Sequence, residues 1–213
     1  FVTETMRKDY ESKYSFVKGK SKVLYWGYSE EDFKGIERGK KSNEEKTIIH
    51  AGNIFSYQNP VKFWEQINKE IDSGNKLKLK FIGSVDPAIK DSINEAGLNE
   101  ITEYAGFLPY KKMLEEVCSA DFLLVCTTEP RHVPGKLFEY LRAGRPIIAF
   151  GNDNQEVKEI IKRSNAGMMF SYNESGEEFF SKCTSFKTDE EYIKRFERKS
   201  ISSEFGRILN SLQ

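Results

Sequence analysis

From about residue 46 the chain repeats one pattern: a short apolar run, a glycine-containing loop, then a polar stretch with apolar residues at helical spacing. Such alternation specifies parallel strands joined by crossover helices that cover both faces of one sheet. Six runs qualify as strands: TIIHAG, LKLKFIG, ITEYAGFL, DFLLVCT, RPIIAF and AGMMFSY. The fourth is nearly all apolar, as expected of a central strand buried on both faces. Phe63, Ile67 and Ile71, with Trp64 beside them, mark the buried face of a helix opened by Pro60. Ile89 and Ile93 mark a helix that stops at Gly97, and Met113, Leu114 and Val117 line a short one in PYKKMLEEVCSA. Val157, Ile160 and Ile161 line another. The spacing predicts an α/β fold, a Rossmann-like doubly wound parallel sheet of about six strands over residues 46–185.

The flanks differ. Tyr192, Phe196, Phe205, Ile208, Leu209 and Leu212 give residues 186–213 the pattern of terminal helices. Residues 1–45 break the rhythm: FVTETMRKDYESKY reads as a strand end running into a helix, KVLYWGY as an extended segment, and GIERGKKSNEEK as a charged linker. The expectation is the end of a preceding domain followed by an interdomain linker.

Composition narrows the function. Lys plus Arg and Asp plus Glu both total 33, with no basic patch interleaved with aromatics, which argues against nucleic acid. No stretch approaches the roughly 18–20 apolar residues that span a bilayer, and the N-terminus lacks the pattern of a signal peptide. These features lead to the expectation of a cytoplasmic protein. Three cysteines, two of them (Cys118 and Cys126) within apolar runs, point to a reducing compartment. His50 and His132 are the only histidines, and SVDPAIKD has no paired-aspartate spacing, so no metal is expected.

The stretch HVPGKLFEYLRAGRPIIAF concentrates the chemistry. Ligands of open parallel sheets bind beyond the carboxyl ends of the strands, where the loops after HAG, FIG, YAGF, LLVCT and IIAF should share one rim. Pro134 suits a first helical position, and Gly135 lets backbone amides approach an anion held at the helix mouth. Lys136 adds a point charge. Glu139, one turn in, is placed to accept two hydrogen bonds from a vicinal diol such as a ribose. A second reading stands beside this one: Glu is favoured in a first helical turn by the dipole alone, Glu139 and Arg142 can form a surface pair, and Pro-Gly punctuates many loops.

Taken in order, the segments resemble a known family. FVTETMRKDY and WGYSEEDF, with Gly27 and Phe33 matching, resemble its exit from the N-terminal domain and its linker. ITEYAGFLPYKKMLEEVCSADFLLVCT and PGKLFEYLRAGRPIIAF are similar to its two best-marked blocks. The chain thus resembles, over nearly its whole length, the C-terminal, donor-binding half of a GT-B glycosyltransferase of the group 1 family.

The resemblance implies transfer of a sugar from a nucleotide diphosphate sugar to a glycan or lipid-linked acceptor, as in bacterial surface polysaccharide synthesis. It implies anomeric retention, no metal and no cofactor besides the substrate. The acceptor would be held by a missing N-terminal domain, and the full-length protein could associate peripherally with the inner face of a membrane. Carried over by position, Glu139 matches the ribose-binding glutamate, and Gly135 and Lys136 fall where amides meet the diphosphate, with Pro134 and His132 beside them. Gly106, Phe107 and Leu108 match the loop that meets the base, and Gly52 and Asn53 the loop facing the phosphates. Lys136 and Arg131 are the candidate catalytic cations.

Three positions depart from the family pattern. Arg131 stands where a first glutamate is usual, and Asn53 and Gln58 replace an arginine and a lysine. Two alternatives therefore stay open: a catalytically inactive nucleotide-binding or interaction module, and a sugar-nucleotide 2-epimerase of the same scaffold. HAGNIF carries a single glycine after the first strand, unlike the GxGxxG of dinucleotide dehydrogenases.

Overall fold

A computed structural model describes residues 1–39 and 44–211. Part of the predicted linker and Leu212 lie outside those residues. Six parallel strands, β1 (Lys46–Ala51), β2 (Leu77–Ile82), β3 (Thr102–Gly106), β4 (Phe122–Cys126), β5 (Ile147–Phe150) and β6 (Gly167–Phe170), form one sheet in the order β3-β2-β1-β4-β5-β6. All six runs read from the sequence are strands in it. The order reverses between β1 and β4, the switch point at which an α/β sheet opens a crevice.

Alternation along the strands feeds two cores. Ile48, Leu79, Phe81, Leu124 and Phe150 pack against α2 (Val61–Asp72) and α3 (Pro87–Glu95), through Phe63, Trp64, Ile67, Ile89 and Ile93. On the opposite face Ile49, Leu123, Val125, Ile147 and Ala149 meet α4 (Tyr110–Ser119), α5 (Lys136–Ala143) and α6 (Gln155–Arg163). Polar caps set the helix starts: Asp86 accepts from the amide of Ala88, with Pro87 as first residue of α3, and Asn154 accepts from Val157 at the mouth of α6. Gly144, at φ +68°, ends α5. The chain closes with α7 (Glu177–Lys182), α8 (Glu190–Ile193) and α9 (Arg198–Asn210).

The N-terminus departs from expectation. Phe1 and Val2 belong to no strand, and the helix α1 (Glu4–Lys13) starts at Thr3, whose hydroxyl accepts from the amide of Met6. A second anchor comes from far away in sequence. The carboxylate of Glu156, in α6, accepts from the amides of Glu4 and Thr5 at 2.7 and 2.9 Å, from the Thr5 hydroxyl at 2.8 Å, and from Tyr25 Oη at 2.7 Å. An anion on the positive end of a helix is the favourable arrangement.

Candidate functional site at the switch point

β1 pairs six residues with β2 but only Ile48 and Ile49 with β4, opposite Phe122 and Leu123. Beyond that point the strands part, and their buried backbone groups need other partners. Side chains supply them. His50 Nδ1 donates to Leu124 O at 3.0 Å, Gln58 Nε2 donates to Cys126 O at 2.7 Å, and the amide of Ala51 donates to Tyr140 Oη at 2.7 Å.

A carbonyl can only accept, so the proton of His50 sits on Nδ1 and Nε2 is left as an acceptor. The ammonium of Lys136 lies 3.1 Å from that Nε2. Burial, together with the charge of Lys136, holds the imidazole well below its usual pKa, so the ring is neutral. The Lys136 amine is pushed down from 10.5 to about 8, chiefly by burial. Among the described residues no carboxylate lies within ion-pair distance of it.

Lys136 is the first residue of α5, two residues later than Pro134 would set. Pro134 lies outside the helix and Gly135 serves as its cap, because Leu137 and Phe138 close tight turns onto the carbonyls of Pro134 and Gly135 at 3.0 and 3.1 Å. The lysine arches over the end of β1. The backbone at Gly52, where φ is +101°, requires glycine, and a Cβ there would sit 2.8 Å from Lys136 Nζ and push the tip of that side chain aside. Behind it, a Cβ on Gly83 would lie 2.7 Å from Gly52 O. The two strand ends therefore touch through backbone alone.

One turn along α5, Glu139 Oε1 accepts from Tyr110 Oη at 2.6 Å. Burial raises the carboxyl's pKa, opposed by this hydrogen bond, and burial and the carboxylate both raise that of the phenol. The surface pair between Glu139 and Arg142 does not form: Arg142 Nε donates to Glu30 at 2.6 Å, with its guanidinium over the ring of Phe33.

The remaining predicted residues fall in two groups. On the rim, Gly106 ends β3 with its carbonyl accepting from Gly83 at 2.7 Å, Phe107 is 78% exposed, and Leu108 is half-buried. Asn53 accepts from the amide of Ser84 at 3.1 Å and so ties the loops after β1 and β2. In the loop before α5, Arg131 reaches Asp9 of α1 at 3.2 Å and Glu129 at 3.4 Å, rather than lying beside Lys136. His132 has Nδ1 3.3 Å from Thr128 Oγ1, and its carbonyl accepts from Asn154.

Sequence reading missed three contributors. His50 is the packed residue that its place at a strand end suggests, but its bond to Lys136 had no local signal; Tyr110 carried none beyond opening a helix, and Gln58 was counted only as a missing cation. At the end of β4, Thr127 Oγ1 is buried without a partner among the described residues, against Gly151. A groove of about 700 Å³ between α1, α6 and α9 contains none of the predicted site residues, and its lining mixes Arg163, Arg195 and Arg207 with Glu156, Glu159 and Glu204. Such balance selects neither sign of ligand. Among the described residues no cluster of metal-ligating side chains occurs, and no helix is long and apolar enough to cross a membrane.

Sheet order and crevice define a doubly wound α/β domain of the kind that takes ligands at its switch point. The profile of the family described as Glycosyl transferases group 1 matches residues 45–189, well over half of the chain, and the chain belongs to that family. No curated protein sequence matches it.

Among solved structures, the chain is similar to a glycosyltransferase from Rickettsia africae at TM-score 0.77 and 14% identity, covering 100% of this chain and 62% of that one. The lipopolysaccharide outer core galactosyltransferase WaaB aligns at TM-score 0.72 and 14% identity, covering 100% and 61%. Anabaena Alr3699/HepE, solved in complex with UDP, aligns at TM-score 0.66 and 15% identity, covering 89% and 57%. These likenesses show the GT-B glycosyltransferase fold. The chain spans about three fifths of the length of these structures.

Proposed function

We propose that this chain is the donor-binding part of a glycosyltransferase and holds a nucleotide diphosphate sugar across the mouth of α5. One observation carries the reading: Lys136, a half-buried ammonium with no carboxylate at ion-pair distance among the described residues, stands at a helix N-terminus on the switch-point crevice. A cation largely withdrawn from water and only partly offset by Glu139 gains from an anion that joins it. A diphosphate leaving group gains charge in the transition state, and a preorganised ammonium and helix mouth stabilise that charge. Glu139 binds the ribose, the loop of Gly106, Phe107 and Leu108 meets the base, and Gly52 leaves room for the phosphates.

Arg131 contributes only on leaving Asp9, so Lys136 carries most of the charge stabilisation. The acceptor, a glycan or lipid-linked sugar, belongs to a further domain, and transfer proceeds with retention and without metal. Similarity to WaaB supports a role in surface polysaccharide synthesis, with peripheral attachment to the cytoplasmic face of the membrane. Calorimetric titration with UDP, GDP and ADP tests the reading. One nucleotide is expected to bind, and Glu139→Ala to weaken it by about 1–3 kcal/mol. Absence of binding by all three at millimolar concentration would refute it.

A further inference from the structure

We infer that His50 is a positioning residue, which fixes the ammonium of Lys136 toward a bound diphosphate without cancelling its charge. The inference rests on the nucleotide reading above. Its ground is the pair of bonds made by the two ring nitrogens: Nδ1 to Leu124 O at 3.0 Å and Nε2 to Lys136 Nζ at 3.1 Å. The first fixes the ring on β4, at the point where β1 and β4 part. It also dictates the tautomer, and thereby makes Nε2 an acceptor.

The second bond selects one conformer of a side chain that otherwise has many. A carboxylate at position 50 would hold the lysine equally well, but it would form an ion pair and leave less charge for a ligand. A neutral acceptor does the first without the second. The ring lies tilted at 42° beside Phe81, with centroids 6.1 Å apart, and is almost wholly buried, so it touches no ligand itself. Gly52 completes the arrangement, since any side chain there would displace the amine.

Two substitutions separate this role from a purely structural one. Asn places an amide where Nδ1 sits and keeps the bond to Leu124, whereas Gln reaches the position of Nε2 and keeps an acceptor for Lys136. The 213-residue chain and both variants are titrated with UDP, GDP and ADP and with the matching monophosphates, and their melting temperatures are measured. His50→Asn is expected to weaken the diphosphate about tenfold, as for loss of a hydrogen bond to a charged group, to leave the monophosphate nearly unchanged, and to lower the melting temperature by only roughly 2–4 °C. His50→Gln is expected to restore most of the diphosphate affinity.

Diphosphate binding by His50→Asn at the original strength would overturn the inference while leaving the nucleotide reading intact. So would equal loss of monophosphate and diphosphate in both variants together with a larger fall in melting temperature, the mark of a structural role. If the unaltered chain binds no nucleotide, the functional reading itself fails and the inference falls with it.

Discussion

Lys136→Met should make the chain more stable while making it a poorer nucleotide binder. The Lys136 amine falls from 10.5 to about 8 through burial, and at about 1.4 kcal/mol per tenfold change this bounds the penalty of folding with the charge in place at about 3 kcal/mol. The side chain retains some contact with solvent, which lowers the realised penalty to about 2 kcal/mol. Removing the amine leaves His50 Nε2 without its donor, about 1 kcal/mol in the other direction. Methionine nearly matches the volume. The net expectation is a gain of about 1 kcal/mol at pH 7, or roughly 2–4 °C in melting temperature.

The pH dependence has a definite sign. Below pH about 8 the amine is protonated in folded and unfolded chains alike and the penalty is complete; between about 8 and 10.5 only the unfolded chain holds the proton, so stability rises with pH. Lys136→Met should lack that rise. Nucleoside diphosphate affinity should drop about 10- to 100-fold, the loss of a charge-assisted bond, and in the unaltered chain it should decline as pH passes 8. Thermal unfolding from pH 6 to 10, with calorimetry of UDP binding, reads all three. A variant that melts lower at pH 7, or that binds UDP as tightly as the original, would refute the reasoning.

Tyr110→Phe removes the donor to Glu139 Oε1; nucleotide binding should weaken by about 1 kcal/mol, and the carboxyl pKa of Glu139, followed by carbon NMR, should rise further. Gly52→Ala must hold an L-residue at φ +101° with its Cβ against Lys136 Nζ; a loss of about 1–2 kcal/mol in stability is expected, accompanied by weaker UDP binding in the same titration. Glu156→Ala strips four donors of their shared acceptor; hydrogen exchange in α1 should speed up by one to two decades, as for loss of about 2 kcal/mol, with the sheet amides unchanged.

What the sequence disclosed depended on the distance over which each feature is encoded. Strand and helix identities are local, so the apolar runs and the residues flanking them were enough for all six strands. Their order requires knowing that β1 leaves β2 for β4, which no local pattern states. The mouth of α5 was legible because Pro134, Gly135, Lys136 and Glu139 are contiguous. Its supports were not: Tyr110 lies 29 residues from Glu139, and His50 lies 86 from Lys136. The partner of Arg131 was equally hidden, since its side chain bonds Asp9, 122 residues away. Asn53 and Gln58 looked like lost cations. They are bridges, one between two loops and one across the parted strands.

The bonds from His50, Gln58 and Tyr140 to the parted strand edges also bear on how quickly a ligand can enter. The wedge between β1 and β4 is held apart by the fold's own contacts, so its shape is present before anything binds and little ordering remains to be done on association. Entry is then governed by encounter and by the pull of a positive charge that Glu139 only partly offsets, rather than by the opening of the sheet. Association should slow with rising ionic strength, and differences in affinity among ligands should lie chiefly in their residence times.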